Sequence, residues 1–187
     1  MGLYCISVSF KGVDQSQVAA RFAVVKPGEA ALVSPRIDDY TTLFAECLDS
    51  FEQDDLAAVA SPICADLSCT SIALSVVDSD HLYAWGFGRD GRMLARVWTE
   101  RGGPNIPDLD RRQGFAVIAD LAGRPGSADL LQNAFDAHET YADFKLRKVA
   151  TILGIPHYGF SHATLLEDLD ELDDSVCPGL SGILRLP

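Results

Sequence analysis

The sequence predicts an α+β fold: a mainly antiparallel sheet of ferredoxin-like β-α-β-β-α-β order, an added hairpin, and C-terminal helices packed on it. Three observations predict it. Apolar residues alternate with period two at the start of the chain and again between Ile72 and Val97. Two stretches of helical spacing interrupt the early strands. After Gly102-Gly103-Pro104 and Pro107 the period becomes helical.

The elements follow in order. Tyr4, Ile6, Val8 and Phe10 alternate with Leu3, Cys5, Ser7 and Ser9, which makes the first strand. Asp14 and Gln17 stand at capping-box spacing, and Val18 and Phe22 share a face, so a helix is expected over 15–23. Pro27-Gly28 ends it. Ala30 to Val33 and Tyr40 to Glu46 read as the next two strands. Leu56, Val59, Ala60, Ile63 and Leu67 form one stripe of a helix over 52–67, with Asp49 or Ser50 as its cap. Pro62 predicts a kink or a restart inside it. A meander follows: Ile72, Leu74 and Val76, a turn at Asp78-Ser79-Asp80, then Tyr83, Trp85 and Phe87, a turn at Arg89-Asp90-Gly91, and Met93, Ala95 and Val97. Further helices are expected through Phe115 to Ala122, from Ser127 through Phe135, and through Ala142 to Leu153. Gly123 and Gly154 act as stops. The whole chain, 1–187, reads as one α+β domain, with a sheet-forming part over 1–101 and a helical part with an acidic tail over 102–187.

Composition narrows the function classes. The 187 residues are 48% apolar and 22% charged with mean hydropathy +0.10, which excludes a disordered chain, a collagen and a coiled coil. Fifteen Lys and Arg against 27 Asp and Glu leave a formal charge of −12. Such a field repels phosphate backbones and anionic lipid, so neither nucleic acid nor a membrane is an expected partner. No leader is expected at the start, which lacks a basic n-region, and Ile6 stands where a myristoylation signal needs Ser or Thr. Five cysteines in mostly apolar context read as reduced thiols of a cytoplasmic protein. No cofactor is expected, and the oligomeric state is not encoded in any motif.

Several residue groups could carry chemistry. His157 and His162 flank Tyr158 to Ser161 and are candidate acid–base residues, with Ser161 a conceivable nucleophile, yet no G-x-S-x-G elbow is present. The acids of 167–174 suit a hard cation, but the spacing fails the EF-hand pattern, so a solvated helix face is expected and no metal site. Cys64 and Cys69 are spaced C-x4-C without a second pair, which favours core filling over zinc. Cys177, before Pro178, is the expected exposed thiol. Tyr83, Trp85 and Phe87 lie on one strand face and form either a ligand platform or part of the core. Gly86 to Gly91 lies between strands, so it reads as a hairpin turn and not a phosphate loop. Arg111 and Arg112, with Arg101 upstream, could hold a carboxylate or phosphate, or pair with Asp108, Asp110 or the tail.

The opening Met1-Gly2-Leu3-Tyr4-Cys5, Leu32-Val33-Ser34-Pro35, Gln53-Asp54, Asp78-Ser79-Asp80, Leu153-Gly154-Ile155-Pro156 and Pro178-Gly179-Leu180 together resemble an uncharacterised family of bacterial proteins. The resemblance implies one bacterial, cytoplasmic domain and supplies no activity or site residue. The leading expectation is a non-catalytic binding or regulatory module whose acidic surface docks a basic or neutral protein. The alternatives are a small-molecule enzyme with hydrolase-like acid/base chemistry in a pocket between sheet and helices, and a small-ligand sensor using the aromatic strand.

Overall fold

The computed structural model describes residues 5–78, 81–99, 108–137, 142–156 and 180–187. Among them seven strands form one antiparallel sheet: β1 (Cys5–Lys11), β2 (Ala31–Val33), β3 (Tyr40–Ala45), β4 (Ser71–Val77), β5 (His81–Phe87), β6 (Met93–Trp98) and β7 (Leu184–Leu186). Their order across the sheet is β6-β5-β4-β1-β3-β2-β7. The fold is thus α+β, with more strands than a β-α-β-β-α-β unit has. The hairpin β5–β6 extends one edge. β7 extends the other; it is too short, at three residues, to have stood out in the sequence.

Among the described residues five α-helices cover both faces. α1 (Gln15–Val25) and α2 (Gln53–Leu67) pack on one; α3 (Asp108–Leu121), α4 (Ala128–Asp136) and α5 (Ala142–Leu153) pack on the other. This layering explains the alternation of β1. Ile6, Val8 and Phe10 enter the core under α1 and α2 with Phe22, Leu56 and Ile63, whereas Cys5 joins the core under α3 to α5 with Ile72, Leu74 and Phe115. The smaller residues between them are buried too, and Ser9 Oγ and Thr42 Oγ1 hydrogen-bond at 2.9 Å across β1 and β3, which removes the cost of enclosing two hydroxyls. Phe115 and Phe135 meet edge-on at 5.1 Å and join α3 to α4.

Local signals act as the sequence predicts, with two shifts. Asp14 N–H donates to Gln17 Oε1 at 3.0 Å, completing one arm of the capping box of α1. α2 begins at Gln53 after Glu52, not directly after Ser50. Ser50 Oγ instead accepts the Glu52 N–H at 3.2 Å and donates to Asp55 Oδ2 at 2.7 Å. α2 then runs unbroken through Pro62. The carbonyl that Pro62 leaves without a donor belongs to Ala58, an exposed residue whose surroundings supply water. α3 and α5 both stop at left-handed glycines. Gly123 has φ +75°, and the next N–H, of Arg124, bonds Ala119 O at 2.8 Å. Gly154 has φ +68°, and Ile155 N–H bonds Ala150 O at 2.9 Å.

Candidate functional site

Antiparallel pairing brings several chain reversals to one end of the sheet. Lys11 at the end of β1 faces Tyr40 at the start of β3, Phe10 faces Ser71 at the start of β4, and Ser71 faces Phe87 at the end of β5. The C-termini of α3 and α5 arrive at the same place. There Lys11 Nζ donates to Ala122 O at 2.7 Å, Tyr40 Oη donates to the same carbonyl at 3.4 Å, and Thr70 Oγ1 donates to Leu121 O at 3.4 Å. The carbonyls at the end of α3 and just past it therefore find partners on β1, on β3 and just before β4, and a cation sits at the negative end of its dipole.

Three concavities open around Lys11. One of about 490 Å³ is lined by Lys11, Asp38, Asp39, Tyr40, Arg124 and Gly154. A second, of about 460 Å³, adds Arg89, Leu94 and Asp120. A third, of about 240 Å³, adds Ser68, Cys69 and Thr70. Burial, with Asp39 nearby, pushes the Tyr40 phenol up to about 12 against the opposing pull of Arg124, so it remains a protonated donor. Cys64 Sγ donates to Ser71 Oγ at 3.2 Å. Contact with Cys69 and burial push the Cys64 thiol up, while the Cys69 thiol is drawn down, first by Cys64 and to a lesser degree by Arg89. Among the described residues no group of three His, Cys, Asp or Glu could hold a metal ion.

Tyr83, Trp85, Phe87, Arg111 and Arg112 line none of these three concavities. Phe87 and Trp85 are buried in the core under α2, and Tyr83 is half-buried beside them. Tyr83 stacks on Trp85 with ring centres 5.5 Å apart, and the Arg96 guanidinium lies 5.8 Å from Tyr83, 5.9 Å from Trp85 and 5.4 Å from Trp98. Arg96 Nη1 also donates to Gln53 Oε1 at 2.7 Å. The aromatic strand thus encloses a cation of its own protein. Arg111 is buried. It donates to Trp98 O through Nε at 3.2 Å and Nη2 at 3.0 Å, and from Nη2 to Asp136 Oδ1 at 2.6 Å. Arg112 is exposed, 3.9 Å from Asp129. Asp136 and Asp129 are the ion-pair partners that the described residues give this pair. Cys5, Cys64 and Cys69 are buried and Cys47 is half-buried. Gly88 and Gly91 form the hairpin turn, with Gly88 N–H on Arg92 O at 2.9 Å. His157, His162, Ser161, Cys177, Arg101 and the acids of 167–174 lie outside the described residues.

Sequence reading passed over Lys11, Asp38, Tyr40 and Arg124 as site residues because topology, not spacing, brings them together. The available signals were Lys11 as the charge that ends an apolar strand, and the glycine stops beside Arg124 and Pro156. No protein-family model, curated protein or solved structure matches the chain. No described helix is long and apolar enough to cross a membrane.

Proposed function

We propose that this protein is a non-catalytic binding module that docks a basic or neutral protein partner through an acidic face. The observation that carries the reading is the surface before and at the start of α2. Between Glu46 and Asp55 stand five carboxylates (Glu46, Asp49, Glu52, Asp54 and Asp55) and no Lys or Arg. Glu46, Glu52 and Asp54 are exposed and make no ion pair among the described residues. Asp54 and Asp55 also suit the positive end of the helix dipole, so the face is anchored on a rigid element. An acid/base enzyme on His157 and His162 gains no support, because both lie outside the described residues.

The overall charge of −12 supports a protein partner over nucleic acid or an anionic membrane, and buried thiols support a reducing, cytoplasmic setting. We read β4-β1-β3-β2 with α1 and α2 as a ferredoxin-like core to which the other elements are added, a reading supported by the adjacency of those four strands. The test is the association rate of a partner recovered by cross-linking, measured against ionic strength. Steering by this face predicts slower association as salt rises, and a further loss of about tenfold in the E46K/E52K/D54K variant. A rate indifferent to salt and to the charge reversals would overturn the reading.

A further inference from the structure

The 490 Å³ concavity is lined by charges of both signs, of which Asp39 is paired with Arg36 at 2.6 Å. Arg124 and Asp38 are both exposed, and neither makes a hydrogen bond through its side chain or an ion pair among the described residues. Lys11 uses one of its three N–H donors, on Ala122 O. The glycines that stop α3 and α5 lie beside these cations. A Cβ at Gly123 would lie against Lys11 Nζ, and a Cβ at Gly154 would lie against the Arg124 guanidinium; both glycines also have positive φ. Opposite them, Asp38 holds φ +55° in the turn between Ile37 and Tyr40, the only residue other than glycine with positive φ among those lining this concavity.

The mixture of charges selects the ligand class. A simple anion would meet Asp38 and the negative ends of α3 and α5. A simple cation would meet Lys11 and Arg124. A molecule that carries both charges a few bonds apart satisfies both walls, and the volume is within the range of about 300–1,000 Å³ usual for small-molecule sites. We propose that this concavity binds a zwitterionic α-amino acid, with Arg124 and Lys11 on its carboxylate and Asp38 on its ammonium group. The site is separate from the acidic face of α2, so either can fail without the other.

The test is isothermal titration calorimetry of the intact chain with the protein amino acids, each beside its deaminated acid and its decarboxylated amine. At least one amino acid is expected to bind, and its two half-molecules to bind at least about tenfold more weakly. Arg124→Gln and Asp38→Asn, both at exposed side chains without a bond among the described residues, are each expected to weaken binding about tenfold while unfolding at the wild-type temperature. Arg112→Gln, which removes the same charge from the far half of α3, is expected to leave binding unchanged. Half-molecules that bind as well as the parent, variants at Arg124 and Asp38 that bind like wild type, or no heat from any amino acid at millimolar concentration would each overturn the proposal.

Discussion

Two arginines bracket α3, and they are used in opposite ways. Arg111, near its start, is buried over the Phe115 ring at 5.2 Å and donates to Trp98 O and Asp136, which ties β6, α3 and α4 together. Arg124, just past its end, is exposed and makes no side-chain bond among the described residues. The difference teaches that a positive charge in an acidic protein is not by itself a sign of recognition. What separates a structural cation from an available one is whether its donors are already satisfied by groups that would otherwise be buried unpaired.

The strongest way to break this comparison is to remove Arg111. Arg111→Ala leaves a buried carbonyl and Asp136 without their donor and is expected to cost about 3 kcal/mol, read as a lower urea midpoint with unchanged slope. A midpoint like wild type would mean that the clamp adds nothing to the fold. At the other end of α3, Tyr40 sharpens the contrast through pH. Its phenol titrates near 10 in an unfolded chain and at about 12 when folded, so the stability it reports is intact below about pH 10. Between about pH 10 and 12 the unfolded chain releases a proton that the folded chain keeps, and stability falls by on the order of 2 kcal/mol. The difference between wild type and Tyr40→Phe across that window isolates the effect; parallel curves would refute it.

Smaller effects follow. Lys11→Met loses the bond to Ala122 O at a half-buried position and is expected to cost about 1 kcal/mol, measurable as a lower melting temperature. Arg124→Gln is expected to stay within about 0.5 kcal/mol of wild type in the same measurement, since nothing among the described residues depends on its guanidinium. A large loss there would place Arg124 with Arg111 and remove it from the available cations.

Most of the fold was legible because its signals are local. The alternation of Ile6, Val8 and Phe10, the stripe from Leu56 to Ile63, and the stops at Gly123 and Gly154 each lie within a few residues and act through short-range geometry. β7 was not legible, because three residues around Arg185 acquire their pairing only from β2. The interruption expected at Pro62 does not break the helix, because the carbonyl it frees lies at an exposed position. The candidate site was the least legible part. Lys11 and Ala122 are 111 positions apart, and only the sheet order and the path of α3 bring them within bonding distance. The aromatic run Tyr83, Trp85 and Phe87 carried the louder sequence signal, yet two of its three rings are core, and the half-buried Tyr83 lies against Trp85 and Arg96.

The contrast between the two ends of α3 is tested most directly by mapping amide chemical shifts while the chain is titrated with an amino acid that binds it. Shifts confined to Lys11, Asp38, Gly123, Arg124 and Gly154 are expected, with the amides of Trp98, Arg111 and Asp136 unmoved. Shifts centred on Arg96, Trp98 and Arg111, with the Lys11 end silent, would contradict it.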